Sequence, residues 1–198
     1  MTLIVGITGG IGSGKSTFSR EVLKRKIEIF DSDKEVSLIY KKPKKQFLDY
    51  LKKIGLGCAV KNNKINKQKI SRIIFSEKAT KLRLEKYIFK IIRKKRSDFI
   101  RAEKRKKTKI IFCDIPLLFE NNLETEFDKI VSIISSKNNR QKRLLASKKI
   151  SKNQFKRIIK FQTSDIVRKS KSDMIIYNNS TVKQFIKKIN KIIDALVL

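Results

Sequence analysis

Gly9, Gly10, Gly12 and Gly14 lead directly into Lys15 and Ser16. The stretch Gly9 to Ser16 satisfies the pattern G-x-x-x-x-G-K-[ST] at every fixed position, and the physics of that pattern is the binding of phosphate. Glycines allow backbone conformations closed to other residues, so that successive N–H groups can turn inward around an anion. A helix starting at the end of such a loop adds free N–H groups and the positive end of its dipole. In this motif Lys15 reaches the β- and γ-phosphates of a nucleoside triphosphate, and the Ser16 hydroxyl ligates Mg²⁺. Guanine-reading segments of the N-K-x-D and D-x-x-G kinds are absent from the chain. One phosphate loop in a small chain with a helical insert points to a small-molecule kinase.

Further candidates are acids and late cations. Asp31 and Asp33 follow a short apolar run, at the carboxyl end of an expected strand, where open α/β sheets place ligands. A kinase acting on a hydroxyl needs a carboxylate to orient the nucleophile and accept its proton. In an extended segment, two acids separated by one residue face opposite ways, so only one of them would meet the acceptor. Capping of a following helix is the alternative role for Asp31, Ser32 and Asp33. Asp114 closes another expected strand, where it could order water around Mg²⁺, contact substrate or cap the next helix. Arg140, Lys142, Arg143, Lys148 and Lys149 surround a turn between two expected helices. They read either as a lid that brings cations over the phosphates or as a solvated helix face.

The elements that must position these groups alternate in type. Leu3 to Thr8 form a β-branched apolar run suited to a buried parallel strand. Lys15 to Lys24 read as a helix and residues 27–31 as a second strand. Residues 33 to about 107 read as helical, with a turn at Gly55 and Gly57, a polar loop over residues 61–64 and Ser76 as N-cap of a long basic helix. Residues 109–114, 129–134 and 174–177 read as strands, and 138–147 and 151–162 as helices. Ser180 is expected to cap a closing helix. Strands interleaved with helices predict an α/β fold with a parallel sheet.

Composition narrows the chemistry. The 198 residues contain no histidine, which excludes a Ser-His-Asp triad and any His-ligated metal site. Cys58 and Cys113 form no C-x-x-C pair, in keeping with a reduced, cytoplasmic protein. Neither an apolar run of the roughly 18 residues that a membrane span needs nor a signal-peptide pattern at the N-terminus is present. The net charge of +32 has two explanations: attraction of nucleic acid, or drift toward A/T-rich codons, which the 38 Lys and 31 Ile against 12 Arg support. Its spread over helical stretches favours drift.

In these residues the chain resembles the dephospho-CoA kinase family. The resemblance lies in Gly6 to Thr17, in the D-x-D segment Asp31-Ser32-Asp33 and in the D-x-P-L-L-F-E segment Asp114 to Glu120. Gln141 to Arg143, Gln162 and Asp173 to Asn179 are weaker matches. It implies a three-layer P-loop, nucleoside-kinase-like α/β fold with a parallel five-stranded sheet. The whole of residues 1–198 would form a single domain, with a helical substrate-binding part over about 34–107 and a lid over 138–162. It further implies transfer of the ATP γ-phosphate to the 3′-hydroxyl of 3′-dephospho-CoA, the last step of coenzyme A synthesis. Gly12, Ser13, Gly14, Lys15, Ser16 and Thr17 would hold ATP, Ser16 would meet Mg²⁺, Asp33 would be the general base, and Lys15 and Arg143 would act on the phosphates. No specific nucleic acid or membrane partner is expected, and the protein would be a monomer or small homo-oligomer. Three residues depart from the family pattern: Tyr87-Ile88 stand near where a His-Pro pair is expected, and Ser147 where a lid arginine is expected. The competing readings are another P-loop nucleoside or nucleotide kinase, and a basic nucleic-acid-binding protein without kinase activity.

Overall fold

The computed structural model describes residues 1–147 and 150–197. In chain order the elements are β1 (Leu3–Gly9), α1 (Lys15–Lys24), β2 (Glu28–Asp31), α2 (Ser32–Lys41), α3 (Lys45–Leu51), β3 (Val60–Lys61), β4 (Lys64–Ile65), α4 (Lys67–Ser76) and α5 (Lys78–Arg105). They continue with β5 (Ile110–Asp114), β6 (Lys129–Ile134), α6 (Lys137–Ala146), α7 (Lys152–Lys160), α8 (Asp165–Ser170), β7 (Met174–Tyr177) and α9 (Val182–Val197). They fall into two compact units, Met1–Asp31 with Phe99–Leu198, and Ser32–Asp98.

The first unit is built on a five-stranded sheet of order β2-β5-β1-β6-β7. Every neighbouring pair is parallel. Successive residues of β1 face opposite ways, so Val5 and Ile7 enter one core together with Phe112, Val131, Ile133 and Ile176. Phe18 and Val22 of α1 close over that face, with Phe185, Ile189 and Ile193 of α9. The four-residue spacing on each helix keeps these side chains on one stripe. Phe18 meets Phe112 edge to face at 5.7 Å. Each such side chain, fully buried, contributes about 1.5–3 kcal/mol relative to exposure. On the other face Gly6 makes room: a Cβ there would lie 2.9 Å from both Leu118 and Phe127. Cys113 lies wholly buried in β5.

The second unit has its own core of Phe47, Leu48, Leu51, Ile54, Leu56, Ile70, Leu84 and Ile92. Cys58 of this unit is exposed. Gly55, at φ 88°, takes a left-handed turn after α3. Tyr87, near which the resemblance implies a histidine, stacks on Tyr50 with ring centroids 3.9 Å apart and on Phe47 at 5.8 Å.

Several sequence expectations need correction. The polar loop at residues 61–64 is the tip of a hairpin, in which Asn62 and Asn63 have φ of 50° and 57° and β3 pairs antiparallel with β4. Asparagine tolerates that left-handed geometry, which a two-residue hairpin turn requires at both positions. Ser76 does not cap the long helix; it is the last residue of α4, and its hydroxyl donates to the Ile73 carbonyl. The cap of α9 is Thr181 rather than Ser180: Thr181 Oγ1 accepts from Gln184 N while Gln184 Oε1 accepts from Thr181 N, a reciprocal capping box. The segment after α7, to which the sequence pattern assigns no element, forms helix α8, capped by Ser164. Lys148 and Lys149 lie outside the described residues. No helix among the described residues is long and apolar enough to cross a membrane.

Candidate active site

The phosphate loop leaves β1 at Gly9 and enters α1 at Lys15. A turn within it is closed by Ser13 N donating to Gly10 O at 3.0 Å. Gly14 is the N-cap of α1 at φ 113°, a conformation that only glycine adopts without strain. No acid occupies the first turn of α1, so the positive helix end remains available to an anion. Lys15 Nζ donates to Gly9 O at 3.0 Å, which tethers the ammonium across the loop. Ser16 is exposed in the first helical turn. Two buried hydroxyls at the loop, Thr8 Oγ1 and Ser13 Oγ, have no hydrogen-bond partner among the described residues. Buried polar atoms of this kind are costly unless something polar meets them, which fits a phosphate-bearing ligand.

The loop is gripped from behind by residues far away in the chain. Ile11 N donates to Gln162 Oε1 at 3.0 Å. Asn178, buried just after β7, donates from Nδ2 to Ser13 O at 2.7 Å. Arg143 of α6 directs Nη2 to the Asn178 carbonyl at 2.8 Å and to Asn178 Oδ1 at 3.1 Å. Its Nη1 reaches Ser135 Oγ at 3.0 Å and Gly12 O at 3.4 Å. Burial holds the Arg143 guanidinium below its ordinary pKa, yet arginine starts so high that it stays cationic at neutral pH. Arg140, more deeply buried than the half-buried Arg143, pairs with Asp165 at 3.7 Å. Burial lowers its pKa as well, Asp165 opposing that shift and Arg168 adding to it. Of the expected lid cations, Arg140 and Arg143 are thus bonded to protein groups and Lys142 is exposed. Ser147 serves as the C-cap of α6.

Asp31 and Asp114 are register partners at the ends of β2 and β5. The strand neighbours therefore bring two carboxylates to the carboxyl edge of the sheet. Ser19 of α1 donates to Asp114 Oδ2 at 2.9 Å. Asp33 departs from the extended geometry expected of it: it lies in the first turn of α2, exposed, at the start of the second unit. Strand alternation therefore does not distinguish it from Asp31; the two belong to different elements. Glu120, at the end of the D-x-P-L-L-F-E segment, plays a structural part. Its Oε1 accepts from Thr163 N at 2.7 Å and from Arg168 at 3.1 Å, where Arg168 is 1% exposed.

No cluster of three or more Cys, Asp or Glu side chains suited to enclosing a metal occurs among the described residues. Mg²⁺ does not require one: it prefers one or two hard oxygen ligands from protein and completes its shell with water and substrate phosphates. The Ser16 hydroxyl and the paired Asp31 and Asp114 carboxylates are donors of that kind. In the sequence Gln162 and Asn178 carry only weak family matches, and Ser19 lies in no motif. The grip of Gln162 and Asn178 on the loop spans 151 and 165 residues, so no local pattern announces it.

A family model described as dephospho-CoA kinase matches residues 3–184. A dephospho-CoA kinase from Fusobacterium nucleatum is 34% identical over 195 residues, covering 98% of this chain and 98% of that protein. One from Bacillus licheniformis is 29% identical over 203 residues, covering 98% and 97%. Among solved structures, a dephospho-CoA kinase from Campylobacter jejuni superposes with a TM-score of 0.74 at 26% identity, covering 100% of this chain and 98% of that one. A shikimate kinase from Acinetobacter baumannii, at 14% identity and a TM-score of 0.51 over 98% and 94% of the two chains, shares the fold.

Proposed function

The chain belongs to the dephospho-CoA kinase family, and from that premise we propose how its residues carry the reaction. The enzyme transfers the ATP γ-phosphate to the 3′-hydroxyl of 3′-dephospho-CoA, the last step of coenzyme A synthesis. The observation that carries the assignment of roles is the loop from Gly9 to Thr17, a glycine-rich turn opening onto an acid-free helix N-terminus with Lys15 tethered across it.

Gly12 to Thr17 hold the β- and γ-phosphates of ATP through backbone N–H groups, and Lys15 offsets the charge that spreads over the transferring group. Ser16, with Asp31 and Asp114, would hold Mg²⁺, which when bound neutralises phosphate charge. Asp33 orients the acceptor hydroxyl and takes its proton as the oxygen attacks phosphorus. Phosphoryl transfer asks little covalent chemistry of the protein, so positioning and fixed charge account for most of the rate.

The test is ADP release by the purified protein with Mg-ATP, with and without 3′-dephospho-CoA, against adenosine, AMP and CMP. ADP formed only with dephospho-CoA, and a product heavier by one phosphate, is the expected result. Lys15→Ala should abolish it. ADP formed with a different acceptor would retain the phosphate loop and overturn the substrate.

A further inference from the structure

We propose that Asn178, held in orientation by Arg143 and Ser135, is a positioning residue that presets the phosphate loop before nucleotide arrives, an inference that rests on reading the loop as the ATP site. Asn178 is 6% exposed, and its backbone is fixed at both ends: its N–H donates to Ile134 O at 2.8 Å, and its carbonyl accepts from Ser135 Oγ at 2.7 Å and from Arg143. The side-chain amide has an acceptor on one side and donors on the other, whereas a guanidinium has donors only. Oδ1 must therefore face Arg143, and this turns Nδ2 toward the Ser13 carbonyl. The Ser13 carbonyl and the Gly14 N–H lie on opposite edges of one rigid trans peptide. Pinning the oxygen aims the N–H the other way.

The same contact accounts for Gly14 by a route independent of its φ. A Cβ at Gly14 would lie 2.5 Å from Asn178 Nδ2, so the loop approaches the amide more closely than any side chain permits. Arg143 extends the grip to the preceding peptide through Gly12 O, whose partner edge, Ser13 N, is already bonded to Gly10 O. Two consecutive peptides of the loop are thus oriented by groups on β6, α6 and the segment after β7. In this arrangement Arg143 acts on the phosphates through the loop and through Asn178.

Asn178→Asp tests the inference, because it keeps the shape and the bond to Arg143 but sets an acceptor against the Ser13 carbonyl. Mg-ATP affinity and steady-state constants are measured on the full chain. The expected result is a rise of at least tenfold in the Kd and KM for ATP, while the KM for 3′-dephospho-CoA stays within twofold. Unchanged ATP affinity, or equal rises in both KM values, overturns the proposal. Arg143→Lys carries the test if the aspartate variant fails to fold. It should weaken ATP binding at least fivefold and leave the KM for 3′-dephospho-CoA within twofold. Normal ATP affinity with kcat lowered a hundredfold would place Arg143 on the phosphate and overturn the proposal. Failure of the unaltered protein to bind Mg-ATP would take down the ATP reading and the clamp together.

Discussion

Asp31 and Asp33 stand two positions apart, but one terminates a strand and the other begins a helix. Asp31 is paired in register with a second carboxylate, Asp114, a setting suited to a cation. Asp33 is exposed in the first turn of α2, a setting suited to reach an acceptor hydroxyl. Their variants should therefore fail differently. Asp33→Asn is expected to lower kcat by about 10²–10⁴-fold with ATP affinity unchanged, whereas Asp31→Asn is expected to raise the Mg²⁺ concentration needed for half-maximal rate. Steady-state assays over a Mg²⁺ series separate the two, and a larger kcat loss for Asp31→Asn would move the base to that residue. The phosphate loop was legible in the chain because its function is written in local backbone freedom, which glycine spacing reports. The Asn178 and Gln162 contacts were not, because each depends on strand order bringing distant segments together.

At the scale of elements, α9 performs two tasks with one side chain. Phe185 is 2% exposed in the core formed with α1 and the sheet, and its ring would be 2.9 Å from a Cβ at Gly14. Phe185→Ala should cost about 3–5 kcal/mol of stability, as buried Phe-to-Ala changes do, read as a lower midpoint in urea denaturation at unchanged slope. The periodicity of Phe185, Ile189 and Ile193 made this helix visible from its residue pattern alone. Its cap was misplaced by one residue because Ser180 and Thr181 are both competent, and only the pairing with Gln184 distinguishes them. Strands β3 and β4, each two residues long, are too short to show alternation, so the Asn62-Asn63 turn was the only available signal. Asp31 and Asp33 do not alternate along one strand for a related reason: the chain passes from strand to helix without an intervening loop, and nothing in the composition marks that change of period.

At the scale of the whole molecule, the charge and the missing histidine set the response to pH. Without histidine no side chain has an ordinary pKa between about 5 and 8, so stability should be nearly flat across neutrality. The acid limb is different. The hydrogen bonds from Lys106 and Thr108 hold the Glu103 carboxyl below its usual range. Burial alone would raise Asp173, but the Ile130 N–H and Lys129 outweigh it and hold it low. A carboxyl held low when folded contributes stability above its unfolded pKa and loses it as pH falls through the folded value. Thermal midpoints should therefore fall below about pH 4, and Glu103→Gln should flatten that limb while lowering the plateau. A limb of unchanged steepness in this variant would remove Glu103 from the account. The two thiols, finally, make the molecule report on its own breathing. Cys58 is exposed in the second unit, and Cys113 is sealed in β5 between β1 and β2. A chromogenic disulfide reagent should consume one equivalent on mixing and the second only as fast as the sheet opens. The slow phase times the opening of the first unit without any label being introduced, and saturating nucleotide should lengthen it if occupation of the loop stabilises the strands from which it springs.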